Sequence, residues 1–72
     1  MGSKYPMLRP GEIIAALSRK GFVFKSRKGS HVKYASDTRT CIIPMHATVA
    51  RGTLKSILAQ AGIELDEFLT LL

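Results

Sequence analysis

The chain has one cysteine, no tryptophan and five acidic residues among its 72 positions. A lone thiol, Cys41, permits no internal disulfide and suits a reducing compartment. No apolar run approaches the roughly 18 residues of a membrane span, and the N-terminus lacks the long apolar region of a secretory signal. A cytoplasmic protein that does not enter membranes is therefore expected. There is no close-spaced cysteine pair to go with the two histidines, so the four convergent ligands of a structural zinc site are not available and neither metal nor cofactor is expected. A phosphate-cradling GxxxxGK loop and a GxSxG nucleophile elbow are both missing. The shortage of acid is uneven: from Ile13 to Ile63 the only carboxylate is Asp37, against Arg19, Lys20, Lys25, Arg27, Lys28, Lys33, Arg39, Arg51 and Lys55. The net charge of +6 concentrates phosphate polyanions and makes their binding salt-dependent, which points to nucleic acid as a partner.

What the chain does have is enough apolar material, 46% of residues, to close one small core, so residues 1–72 read as a single domain. Met1, Gly2 and Ser3 carry no weight in that reading. "RPGEIIAALSRKG" predicts a helix: Pro10 suits its first position, Glu12 complements the positive end, Ile13, Ala16 and Leu17 recur at helical spacing, and Gly21 ends it. Phe22 to Ser26, "HVKYA" and "TCIIPM" read as three strands, with Pro44 marking an edge or departure point. Thr53 is expected to cap a second helix whose stripe is Leu54, Ile57, Leu58 and Ala61, stopped by Gly62. "LDEFLTLL" predicts a short third helix with Leu65, Phe68, Leu69 and Leu72 on one face. The fold class is α+β: α-β-β-β-α with a three-stranded antiparallel sheet, helices on one face, and a short extra C-terminal helix.

Strand alternation sorts the side chains by face. A three-residue loop at Arg27 to Gly29 would pair Phe24 with Val32, Phe22 with Tyr34 and Lys25 with His31. A two-residue turn at Asp37 and Thr38 would pair Val32 with Ile43 and Tyr34 with Cys41. The apolar face then holds Phe22, Phe24, Val32, Tyr34, Cys41 and Ile43, with Met45 beyond. The other face carries Val23, Lys25, His31, Lys33, Ile42 and Pro44, with His46 beyond them. His31 is thus expected outside the core, on the rim of a basic surface.

Such a histidine is suited to cutting RNA. The 2′-hydroxyl beside each phosphodiester is an internal nucleophile, so the reaction needs a base for that hydroxyl, a proton for the departing 5′ oxygen and positive charge on the phosphate. Histidine titrates near neutrality and serves in either proton transfer. Lys25, Lys28 and Lys33 are candidates to hold the phosphate, while Gly29 and Ser30 let an RNA backbone approach closely. Arg51, Thr53 and Lys55 surround a helix N-terminus, whose free amides attract phosphate. The plainer readings are a turn histidine without chemistry, ordinary capping and solvated charge. His46 could equally bond a backbone carbonyl.

"GFVFKSRKGSHVKYASDTRTCIIPMHATVARGTLKSILAQAGIELDEF" resembles the HicA-type toxins, also called the YcfA-like family. The likeness runs from about Leu8 to Leu69. It rests on GF after the first helix, GSH at Gly29 to His31, P-x-H at Pro44 to His46, GTL at Gly52 to Leu54 and ILAQAG at Ile57 to Gly62, in that order. The resemblance implies a fold similar to double-stranded RNA-binding domains and a metal-independent endoribonuclease that cleaves mRNA and is neutralised by a HicB-type antitoxin. It implies a catalytic role for His31, the histidine of GSH, and leaves His46 as a second site residue of unassigned role. The chain departs from the family in "ATVAR", residues 47–51, where charged residues are common, and in Lys28, where some relatives have serine. Two other classes fit the same composition: a non-catalytic RNA-binding module of this architecture, and a protein whose basic face docks an acidic partner.

Overall fold

The structure is a computed structural model that describes residues 4–72; Met1, Gly2 and Ser3 lie outside the described residues. Its elements run α1 (Pro10–Arg19), β1 (Val23–Lys28), β2 (His31–Ala35), β3 (Thr40–Pro44), α2 (Arg51–Ala61) and α3 (Leu65–Leu71). The three strands form one antiparallel sheet in the order β1-β2-β3. This is the α+β arrangement expected of the sequence, consistent with a double-stranded RNA-binding-domain-like fold.

Helix α1 starts at Pro10, and the Arg9 N–H donates to the Glu12 carboxylate at 2.8 Å, satisfying one of the donors a helix start leaves open. It ends in a Schellman turn: Phe22 N–H donates to Leu17 O and Gly21 N–H to Ser18 O, both at 3.0 Å, with Gly21 at φ 97°. That turn swings Phe22 into the core just before β1. Ile13, Leu17, Phe22, Val32, Ile43, Leu54 and Phe68 are all buried in one apolar cluster beneath the sheet. Cys41 lies in the same cluster, and burial pushes its thiol pKa up to about 11.

Helix α2 packs on β3, and α1 packs on β3 and α3. The backbone N–H of Ile42, on the outer strand, donates to the Gln60 side chain of α2 at 3.0 Å, which occupies one donor of that sheet edge. Strand β1 lies on the opposite edge and is exposed along its whole length. Phe24 is 54% exposed. The expectation that Phe24 is core is therefore corrected: it lies on the exposed edge strand, where its ring meets that of the half-buried Tyr34, edge to face, at 5.8 Å between ring centroids.

The β2–β3 register is as expected, Val32 opposite Ile43 and Tyr34 opposite Cys41, with Asp37 and Thr38 as the two turn residues. The β1–β2 register is not. Lys28 pairs with His31, Arg27 with Val32, Ser26 with Lys33 and Phe24 with Tyr34, with a bulge between Phe24 and Ser26. The loop has two residues, Gly29 and Ser30, rather than three. Gly29 has φ 60° and Ser30 does not have positive φ, the pattern of a type II′ turn, whose twist matches that of the flanking strands. This tighter turn extends the ladder to Arg27 and Lys28, and the bulge at Lys25 then absorbs the extra residue. Lys25 therefore does not stand opposite His31.

Thr53 is not the cap of α2. Ala50 is, and Leu54 N–H already donates to Ala50 O at 2.9 Å. The helix begins early because Val49 is held just before it: its N–H donates to Leu8 O at 2.7 Å, across a bridge between Leu8 and Val49, and its side chain is buried. Helix α3 buries Phe68 completely, with Leu65 and Leu71 against the cluster, while Leu72 points to solvent instead of joining the stripe. It is tied to α1 by the Lys20–Glu67 ion pair and by the Arg19 guanidinium, which donates to Leu71 O. No helix among the described residues is long and apolar enough to cross a membrane.

Candidate active site

Strand alternation in β2 fixes the starting point. Val32 is buried, so its neighbours His31 and Lys33 point away from the helices, and both are exposed. The partners across the sheet share that outer face. Lys28 on β1 and Pro44 on β3 flank His31, while Ser26 and Ile42 flank Lys33. Ser26, Lys28, His31, Lys33 and Ile42 together line an open depression of about 490 Å³. It combines two ammonium groups, one imidazole, one hydroxyl and one apolar side chain. No carboxylate lines it, so nothing offsets the attraction of its lysines for an anion.

His46 joins this group from the segment after β3. Its ring meets that of His31 edge to face, with centroids 6.4 Å apart and planes at 83°. The contact is built by the backbone: Met45 N–H donates to Ser30 O at 2.6 Å, one residue before each histidine. Apart from this ring contact, neither imidazole has a hydrogen-bond or ion-pair partner among the described residues. His46 thus makes no bond to a backbone carbonyl among the described residues. Both rings are exposed, with their nitrogens available to a ligand.

The other candidate residues are placed as follows. Gly29 and Ser30 form the turn directly before His31, where the Arg27 Nε donates to Gly29 O at 2.9 Å. Lys25, in the bulge, is exposed and does not line the depression. Arg51 and Lys55 line a different depression with Lys4, Tyr5 and Gly52, where the Arg51 Nε donates to Tyr5 O at 2.9 Å. Thr53 is half-buried in the first turn of α2. The structure therefore gathers Lys28, His31, Lys33 and His46 in one place and leaves Lys25, Arg51, Thr53 and Lys55 outside it. Strand alternation in the sequence puts Ile42 on this face without giving it a role, and does not put Ser26 there. The Gly-Ser pair is the signal that could have found Ser26, because a two-residue turn puts it across from Lys33 on the face of His31.

Cys41 is on the core side, away from both histidines. Among the described residues no group of three or more His, Cys, Asp or Glu is placed to hold a metal ion.

The chain matches one family model, described as HicA toxin of bacterial toxin-antitoxin, over residues 11–63. The matched span runs from α1 to just past α2 and includes the whole sheet and both histidines. No curated protein matches the chain.

Proposed function

Because the chain belongs to the HicA toxin family of bacterial toxin–antitoxin systems, we propose that this toxin acts as an endoribonuclease on mRNA, with His31 as the proton-transfer group of a metal-independent cleavage. The observation that carries the reading is the placement of His31: exposed, without a hydrogen-bond partner among the described residues, and set with Lys28 and Lys33 in one depression.

The chemistry follows from the substrate. The 2′-hydroxyl supplies the nucleophile, so no metal-bound hydroxide has to be generated. Its oxygen attacks the adjacent phosphorus, the P–O5′ bond breaks, and the products are a 2′,3′-cyclic phosphate and a 5′-hydroxyl. His31 takes part in the proton transfers, a contribution of roughly 10² to 10⁴-fold. Lys28 and Lys33 hold the non-bridging oxygens as charge builds on them. Gly29 leaves the turn open, with nothing within 4 Å of where a Cβ would stand, so an RNA strand can pass over Ser30 at close range. Lys25, Arg51, Thr53 and Lys55 are candidate contacts for flanking phosphates.

A toxin of this kind requires an antitoxin. A HicB-type partner presenting acidic groups to the His31 face would match its charge and shut off RNA together. Such a pair works in the cytoplasm, where mRNA is found. The deciding experiment incubates purified parent and His31→Ala proteins with a defined RNA in excess chelator and identifies the new ends. Cyclic phosphate and 5′-hydroxyl ends from the parent alone support the reading. A variant that cuts as well as the parent refutes it. RNA that binds to both and is cut by neither leaves the non-catalytic RNA-binding module as the function.

A further inference from the structure

Resting on the ribonuclease reading, the geometry points to His46 as the second catalytic residue: the general acid that protonates the departing 5′ oxygen while His31 takes the proton of the 2′-hydroxyl. In an in-line displacement the attacking and departing oxygens lie on opposite sides of phosphorus. One imidazole cannot reach both at hydrogen-bond distance, roughly 2.6–3.2 Å, so a single histidine leaves one proton transfer without a group to perform it.

Few groups are available for that second transfer. No carboxylate lines the depression. Glu12 accepts from the Arg9 backbone, Glu67 is paired with Lys20, and Asp37 is in the turn at the far end of the β2–β3 hairpin. Lys28 and Lys33 are engaged with the non-bridging oxygens of the phosphate. His46 is the one other imidazole in the chain. It lies 6.4 Å from His31 between ring centroids, close enough for one phosphoryl group on the open side to reach both rings. The ring planes stand at 83° to one another rather than stacked. The Met45–Ser30 hydrogen bond holds this spacing without using a nitrogen of either ring.

The division of roles comes from the depression. His31 lines it beside Ile42, and His46 does not. The nucleoside whose 2′-hydroxyl attacks is seated there, its ribose against the apolar Ile42 side chain. The 3′-side strand then leaves over the rim at His46. The step balances: the 2′-hydroxyl proton passes to His31, the O2′–P bond forms, the P–O5′ bond breaks, and the proton on the His46 imidazolium goes to O5′. Solvent then resets both rings.

The test uses two RNAs of one sequence, an ordinary one and one with sulfur in place of the bridging 5′ oxygen at the scissile bond, since a thiolate departs without being protonated. His46→Ala is expected to lower the rate on ordinary RNA by roughly 10² to 10⁴-fold and to come within about tenfold of the parent on the sulfur-substituted RNA; His31→Ala is expected to stay impaired on both. Should His46→Ala unfold, His46→Gln must show the same difference between substrates. Equal loss on both RNAs, or no loss on ordinary RNA, overturns the assignment while leaving the ribonuclease reading in place. A parent inert on both RNAs, or a His31→Ala variant as active as the parent, overturns that reading and this inference with it.

Discussion

Met45 and Ser30 are joined by a backbone hydrogen bond of 2.6 Å, and the residue that follows each of them is a histidine. The first hairpin and the end of β3 are thereby fastened at one point, and His31 and His46 are delivered to the same surface. Neither ring contributes to the fastening, so the two imidazoles can be changed without untying the sheet. That separation of scaffold from chemistry underlies the predictions that follow.

His31→Ala is expected to leave the thermal unfolding midpoint within about 4 °C of the parent, because an exposed side chain with no hydrogen-bond partner among the described residues contributes within roughly 0.5 kcal/mol. In the same variant RNA cleavage and growth inhibition are expected to vanish. A large loss of stability would instead place His31 among the structural residues.

The observed register separates two lysines that a three-residue loop would have interchanged. Lys28 lines the depression and Lys25 does not. Lys28→Ala is expected to lower cleavage by roughly tenfold or more and Lys25→Ala by only a few-fold. Salt titrations of RNA binding should show a shallower slope for either variant that removes a phosphate contact. A larger effect at Lys25 would contradict the phosphate seat described here.

Gly62→Ala and Gly29→Asn should differ. Gly62 has φ 71°, and an added Cβ would lie 2.9 Å from the Arg39 guanidinium. The backbone conformation costs about 1–2 kcal/mol for an alanine, and Arg39 must also shift. Gly29 has φ 60° with open space around it, so asparagine meets no neighbour there and its cost is the backbone term of the type II′ turn alone, about 1–2 kcal/mol. Urea denaturation of both variants measures the difference.

Burial raises the Cys41 thiol to about 11, so in the folded protein it resists alkylation at pH 8 and reacts freely only on unfolding. The sign for stability follows. The unfolded thiol titrates near 8.5, so between about 8.5 and 11 the unfolded chain loses its proton while the folded one keeps it. The stabilisation is complete below the lower value and falls as pH rises through the interval, on the order of 3 kcal/mol in all. Cys41→Val should flatten that alkaline decline, as read by thermal melts from pH 7 to 11.

Antitoxin binding is expected to protect the outer face of the sheet. Hydrogen exchange in the complex should slow across the Lys28–His31 turn and the Met45–His46 segment, and RNA and antitoxin should compete. Protection confined to α1 and α3, with His31 still open to solvent, would show that the toxin is restrained from elsewhere.

Much of this was legible in the residues. The period-2 pattern of "HVKYA" sends His31 outward because Val32 must go inward, and the two-residue polar turn at Asp37 and Thr38 sets the second hairpin register correctly. The first hairpin departs from the sequence expectation because "RKGS" offers two turns that use the same glycine. One closes three residues with Gly29 last; the other closes two with Gly29 first. Only the whole ladder, including the bulge at Lys25, decides between them. Thr53 departs from its expected role for a related reason. Good capping chemistry was present, but Val49 was already committed to Leu8, so the helix began before Thr53 could cap it.

From the order of residues alone come the α-β-β-β-α plan, the helix ends at Gly21 and Gly62, and the outward direction of His31, since these depend on spacings and turns a few residues long. Three-dimensional packing alone decided that Lys28 rather than Lys25 faces His31, that Phe24 is left at an uncovered edge, and that His46 meets His31. Each of these turns on pairing between segments distant in the chain, where a shift of one residue exchanges the two faces of a strand and no local preference is strong enough to choose.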